Sequence, residues 1–356
     1  MSSEPNVRSD HQLELRDLAE TIFADARAGA SGAATGFDAE LWQTLEQAGL
    51  ARLTLPQAVG GSDGSLTDLA IVLESAGAHA ARVPLVETDL LAGWLAHAAG
   101  LEVPAGPLAA VAGDLTVTSA GDRVTVSGAL PRVPWARAAA AIVVLAANHV
   151  LVLAPSAVEI TEGSNVAEEP RDTVTLAEVT LDAGTVATTP AGTAARFRQR
   201  AALGRALLLA GAARAALAES VRYAGQRVQF GRPIGRFQVI QQQLALAAAE
   251  VAAVGAATDA AARTAATDGF GADSTAFAVA AAKVRAGEAA GVVARIAHQV
   301  HGAIGFTREH ALRLATTRLW AWRDEDGSEA WWSDELGSRA LAVGGDGLWP
   351  LVTGAP

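Results

Sequence analysis

Side chains able to do chemistry gather in a few places along the 356 residues. Arg227-Val-Gln-Phe230-Gly231-Arg-Pro233-Ile-Gly-Arg-Phe237-Gln238 sets a guanidinium, aromatic rings and a carboxamide close together. A guanidinium fork meets paired anionic oxygens with two hydrogen bonds, an aromatic ring lies against a flat ligand, and an amide donates and accepts. Further along, Gln299-Val-His-Gly302-Ala303-Ile-Gly305-Phe-Thr-Arg-Glu309 joins a polar side chain to a glycine bend where backbone can approach a ligand closely. Taken singly, these have ordinary readings, a solvated charge at a helix end and a plain turn. The run Asp324-Glu325-Asp326-Gly327-Ser328 offers carboxylates, whose ordinary reading is a solvated acidic loop. His298, His301 and His310 crowd together, but the first two sit three apart on one helix without convincing acidic co-ligands. That argues against a metal site and for satisfied or exposed histidines. The absence of Cys excludes disulfides, thiol catalysis and thiolate metal sites, and is compatible with a reduced compartment.

The elements that position these groups are mainly helical. Apolar residues make up 51% and aromatics only 5%, a mixture that favours closely packed helices. From Leu13 to Gly100, Leu41, Trp42, Leu45 and Ala48 recur at helical spacing, as do Leu66, Leu69, Ala70 and Leu73. Ser65 with Asp68 can cap the second of these helices, and Leu55-Pro56 with Gly60-Gly61 marks the loop before it. Residues 1–102 are therefore expected to form an N-terminal helical domain. Residues 103–192 change character: Val124 and Val126 alternate with polar neighbours, and Ala141–Leu145 and Val150–Leu153 read as strands flanking a turn at Asn148. Val174, Leu176, Val179 and Leu181 read as a further strand pair, which predicts a small antiparallel β domain. Residues 193–343 return to long helices, at Ala195–Arg227, Phe237–Thr267, Ser274–Val300 and Glu309–Arg323, which predict a four-helix bundle. A shorter helix is expected through Glu335, and residues 344–356, rich in Gly and Pro, as a loose tail.

Charge narrows the partners. The formal net charge of -11 opposes general binding to nucleic acid or anionic membranes. Arg205, Arg214, Glu250, Lys283 and Glu288 interrupt the Ala-rich runs and argue against membrane spans. Met1 to Arg16 has no apolar core, so no leader is expected and a cytoplasmic location is. No glycine-rich phosphate loop opens a strand-helix unit, so a nucleotide would bind by other means.

The segment from Arg227 to Gln238 closely resembles the stretch joining the first two bundle helices of the acyl-CoA dehydrogenase family. The stretch from Gln299 to Glu309 is similar to that family's Q-x-x-G-G-x-G turn, at the expected distance downstream, and weaker similarity runs through Leu41 to Ala80. The resemblance implies a mainly α fold with N-terminal helices, a central antiparallel β domain and a C-terminal four-helix bundle. It also implies FAD as cofactor, an acyl-CoA thioester as substrate and electron-transfer flavoprotein as acceptor. Arg227, Phe230, Gln238, Gln299, Gly302 and Ala303 would contact the flavin nucleotide of a neighbouring subunit, so an oligomer is implied.

In such an enzyme a carboxylate removes a proton next to the thioester carbonyl while a hydride leaves the adjacent carbon for the flavin. Asp326 occupies the place of the family's Glu, one methylene shorter; the alternative base position found in some relatives is Ala201, with Ala202 beside it. The family's β domain supplies a Trp-x-Thr stretch to the flavin ring, where this chain has Arg132-Val-Pro134. Nucleotide contacts are retained and ring contacts are not, which points to assembly with a homologous subunit in a heterotetramer. Three readings stay open: a catalytic acyl-CoA dehydrogenase subunit, a non-catalytic partner subunit that completes the FAD site, and a flavin monooxygenase or oxidase on the same fold.

Overall fold

The computed structural model describes residues 4–29, 36–120, 123–308 and 310–353. Helices come first: α1 (Glu4–Gly29), α2 (Ala39–Gln47) and α3 (Leu66–Ala78). Asp38 caps α2, its Oδ1 accepting the Leu41 amide at 3.1 Å, and Leu41, Trp42 and Leu45 are buried as their spacing predicts. α3 begins directly after Ser65. A π-helical stretch, Val86–Gly93, leads into the short α4 (Trp94–Ala98). Among the described residues, eight strands follow, then α5 (Thr193–Gln226), α6 (Gln238–Asp268), α7 (Asp273–His301), α8 (Leu312–Arg323) and α9 (Glu329–Thr353). Glu309, expected to open the fourth bundle helix, lies outside the described residues.

The chain divides into two compact units, one of Met1–Ala34, Leu66–Ala81 and Ala202–Pro356, the other of Thr35–Ser65 and Arg82–Ala201. In the first, α3 and α5 cross so closely that a Cβ at Gly77 would overlap the carbonyl oxygen of Leu208, and one at Gly211 that of Glu74. Small residues let the two backbones meet, and Ala-rich faces on α5 and α7 extend the same packing. α5 and α6 are each long and apolar enough to cross a membrane by length and composition. Both are long helices of the bundle, α5 mostly buried in its core.

The second unit holds two four-stranded sheets. One runs β1 (Leu108–Ala112), β4 (Ala141–Ala146), β5 (His149–Leu153), β8 (Val186–Thr188); the other runs β2 (Thr116–Ala120), β3 (Arg123–Pro134), β7 (Arg171–Leu181), β6 (Glu159–Thr161). Val126, Leu130 and Val174 of one sheet share a core with Ile142, Val144 and Leu151 of the other. The expected antiparallel pairing holds except between β1 and β4, which are parallel. The intervening β2 and β3 belong to the other sheet, so the chain crosses over and returns in the same direction. Ala147 and Asn148 make the tight turn between β4 and β5.

Two expectations need correction. Val174, Leu176, Val179 and Leu181 lie on one strand, β7, and not on a pair. Their parity changes because the register shifts between Val126/Gly128 and Val179/Leu176, with Glu178 at φ 53, which is a bulge and not a turn. The residues expected as a loose tail are helical through Thr353, α9 being interrupted only at Gly344, where φ is 69. A single glycine breaks the helix locally and lets it resume, a pattern that resembles a coil when read as composition alone.

Candidate functional site

After α5 the chain makes a short hairpin, β9 (Val228–Gln229) against β10 (Arg232–Pro233). Its turn residues, Phe230 at φ 52 and Gly231 at φ 77, are both left-handed, the geometry of a two-residue hairpin loop. Phe230 stands 91% exposed at the tip. Its ring meets Phe237 edge-on at 6.1 Å, and the Arg232 guanidinium lies 4.3 Å from the Phe237 centroid. The Ile234 amide donates to the Arg227 carbonyl at 2.8 Å and closes the loop, leaving the Arg227 side chain exposed. Gln238, also exposed, is the first residue of α6.

The second predicted motif ends α7. Gln299 and Ala303 are exposed, and Gly302 turns the chain at φ 66, where an added Cβ would meet no atom within 4 Å. The Tyr223 ring stacks on His301 at 4.4 Å, tying the last turn of α5, which precedes Arg227, to the last turn of α7, which precedes Gly302. The structure therefore brings both motifs to the same end of the bundle. Asp326 is not there: its partner Arg205 is separated from Tyr223 along the unbroken α5 by roughly 27 Å, at about 1.5 Å per residue.

Asp326 follows α8 in a left-handed conformation, φ 57, with Gly327 next at φ 96. Arg205, buried on α5, donates from Nε to its Oδ2 at 2.9 Å and places Nη1 3.4 Å from Glu325 Oε2. Trp332 Nε1 donates to the Asp326 carbonyl at 2.9 Å. Lys283, wholly buried on α7, donates from Nζ to the carbonyls of Arg323 at 2.8 Å and Gly327 at 2.6 Å. Burial pushes Lys283 down to about 8, opposed by the charge of Asp326. The bend is thus held from the backbone and from the carboxylate together. In the sequence, Arg205 and Lys283 read only as charges that break apolar runs. A cation inside an Ala-rich helix needs a buried partner, which is the signal that was available.

The histidines fall into ring stacks. His298 lies between Phe306 at 4.1 Å and Trp320 at 5.1 Å, with Nε2 3.0 Å from Thr316 Oγ1. His301 directs Nδ1 to the Ala297 carbonyl at 2.8 Å, and burial pushes both His298 and His301 below the usual imidazole range. The acidic neighbour comes from a distant part of the sequence: Glu219 of α5, whose carboxylate lies within 4.8 Å of ligand atoms of His301 and His310. Arg222 engages both of its oxygens. Of the unassigned tryptophans, Trp322 and Trp332 are core residues, while Trp320 and Trp331 are partly exposed.

The second unit holds a buried carboxylate, Asp89, that feels the charge of the half-buried Arg200, and neither is legible as a site in the sequence. Asp89, in the π-helical stretch, accepts from the Thr54 amide at 3.1 Å and from the Thr54 hydroxyl at 3.1 Å. The guanidinium of Arg200 lies 4.3 Å from the centroid of Trp94. Burial pushes Asp89 up to about 7 and Arg200 down to about 9, each partly countered by the other's charge. The two acids within the apolar run from Leu85 to Ala98, Glu87 and Asp89, are the available clue. Arg132 is left-handed at φ 58, and Trp135, after Pro134, is buried.

Comparison with known proteins shows the family. The families described as acyl-CoA dehydrogenase, N-terminal domain, and acyl-CoA dehydrogenase, C-terminal domain, match residues 9–103 and 194–330. Acyl-CoA dehydrogenase IpdE2 of Mycolicibacterium smegmatis is 32% identical over 284 residues, 78% of this chain and 81% of that protein. Among solved structures, the ChsE4-ChsE5 complex from Mycobacterium tuberculosis superposes with a TM-score of 0.85 at 23% identity, covering 96% of this chain and 98% of that one. The Tcur3481-Tcur3483 steroid ACAD gives a TM-score of 0.80 at 26% identity, covering 93% and 97%. With both domain descriptions matched and a relative of this identity spanning most of its length, the chain belongs to the acyl-CoA dehydrogenase family.

Proposed function

We propose that this chain is a subunit of an FAD-dependent acyl-CoA dehydrogenase that lends nucleotide contacts to a neighbouring subunit's flavin. The observation that carries the reading is the exposed group at one end of the bundle, where Tyr223 stacked on His301 joins the segment of Arg227, Phe230 and Gln238 to that of Gln299, Gly302 and Ala303. These residues fit the nucleotide half of FAD. A guanidinium suits its pyrophosphate, an unburied phenyl ring its adenine, two carboxamides its polar edges, and the open Gly302 lets backbone come close. When bound, FAD supplies the hydride acceptor. Asp326 takes the proton from the carbon next to the thioester carbonyl, and Arg205 fixes its carboxylate through Oδ2, leaving Oδ1 for the substrate. Because Asp326 and the nucleotide contacts are far apart along α5, one chain serves two different flavin sites, as an oligomer would require.

The partner is a homologous subunit. The solved ChsE4-ChsE5 complex contains two differently named chains, which supports a heteromeric assembly here; a cytoplasmic setting and electron-transfer flavoprotein as acceptor complete the proposal. The steroid relative makes ring-bearing acyl-CoA thioesters the first substrates to try. Expression alone and together with a homologous subunit tests the reading. The pair is expected to retain flavin and to be bleached by its thioester; full flavin absorbance and turnover by the single chain would count against the partner.

A second reading, a non-catalytic partner, is favoured by Arg205 engaging Asp326 and by Arg132 and Pro134 standing where the family supplies a flavin-ring contact. An Asp326→Asn complex turning over at the full rate would select it.

A further inference from the structure

We propose that Lys283 is a positioning residue for Asp326, setting the bend from Arg323 to Gly327 so that the carboxylate faces its substrate. This rests on the reading of Asp326 as the base and adds the device that aims it. Lys283 lies on α7, and its ammonium bridges two carbonyls on either side of the acidic triplet: Arg323, the last residue of α8, and Gly327, which follows Asp326. The first is a helix-end carbonyl with no helical partner, and a cation there also complements the helix dipole. The second belongs to the pair of left-handed residues that reverse the chain. A single Nζ holding both fixes the span of the bend, and Trp332 holds the Asp326 carbonyl between them. Arg205 then needs only to orient the side chain. The groups facing Lys283 are Asp326, Arg205, Asp324 and Glu325, so its charge is felt at the carboxylate as well.

A purely structural lysine would be replaceable by an apolar side chain of similar length at a cost in stability alone, since the two carbonyls lose their donor while the rate of the folded, assembled enzyme is kept. A positioning lysine would not, because displacing a base by about 1 Å costs on the order of 100-fold in rate. The test compares Lys283→Met, Lys283→Arg and Asp326→Asn in the assembled enzyme. It reads kcat, KM for the thioester, and hydrogen exchange of the amides from Trp322 to Ser328. Lys283→Met is expected to lower kcat by roughly 10- to 100-fold with KM nearly unchanged, and to speed exchange across the bend. Lys283→Arg, which keeps the donors, is expected to recover part of kcat. If Asp326→Asn is inactive while Lys283→Met keeps the full rate and slow exchange, the positioning role is overturned and the base assignment stands. Full activity in Asp326→Asn overturns both. Should Lys283→Met fail to assemble, Lys283→Gln, too short to span both carbonyls, must show the same loss of kcat, and its full activity overturns the proposal.

Discussion

Arg205 on α5 and Asp326 in the bend after α8 stand 121 residues apart in sequence and 2.9 Å apart in space, Nε donating to Oδ2. The guanidinium is almost wholly enclosed while the carboxylate keeps about a quarter of its surface, the side-chain exposures being 4% and 26%. Removing Arg205 leaves Asp326 and Glu325 facing each other with Lys283 as the remaining buried cation. Arg205→Met is expected to cost about 1–3 kcal/mol, less than a fully buried pair because Asp326 is partly solvated. Urea unfolding of the two single variants and of Arg205→Met with Asp326→Asn measures it; strictly additive effects would mean that the contact contributes nothing.

At the other end of the bundle, Arg227 and Phe230 are exposed, so their loss should affect ligand and not fold. Arg227→Ala removes a charge-assisted contact of about 1.5–3 kcal/mol, which predicts FAD binding weaker by roughly 10- to 100-fold. Phe230→Ala is expected to weaken it several-fold, with the unfolding temperature of the flavin-free protein unchanged in both variants. Calorimetric titration of FAD into the assembled flavin-free protein checks this; equal affinity in wild type and Arg227→Ala would remove the nucleotide role of that residue.

The bundle was legible in the sequence because Ala- and Leu-rich runs bounded by Gly and Pro have few alternatives to long helices, and Gln238–Asp268 and Asp273–His301 lie within a residue or so of expectation. The β domain was legible as strands but not in its connections. Bulging at Glu178 rephases the apolar residues within β7, and a period-2 pattern read without its partner cannot distinguish a bulge from a turn. The cations inside the Ala-rich helices signal a buried partner, but which partner is not legible, for a different reason. Arg205, Lys283 and Asp326 come from three helices or their ends, so only tertiary packing makes them neighbours.

The crossing of α3 and α5 gives a stability prediction independent of any ligand. A Cβ at Gly211 would overlap the Glu74 carbonyl oxygen, a backbone atom that cannot rotate away. Gly211→Ala should therefore be destabilising by about 1–3 kcal/mol despite the higher helix propensity of Ala, which alone would favour it by roughly 1 kcal/mol. Gly255 on α6 has open space around its Cβ position, and Gly255→Ala is expected to be neutral or stabilising. Chemical denaturation of the pair separates propensity from packing; equal effects would deny the close crossing.

Asp89 links stability to pH. Burial raises it from 3.8 to about 7, while its Thr54 hydrogen bonds and Arg200 oppose the rise. The folded state therefore binds this proton more tightly than the unfolded chain does. Its contribution to stability is fully present below about pH 4 and is lost as pH rises through about 7, falling across the window between. Arg200, lowered to about 9, stays charged throughout that window and adds no slope of its own. Asp89→Asn keeps an acceptor for Thr54 and removes the titration. The urea midpoint of wild type, measured relative to Asp89→Asn, is expected to fall between pH 5 and pH 7.5. A relative midpoint that rises across the same interval would mean that Arg200 and Thr54 outweigh burial and hold Asp89 ionised.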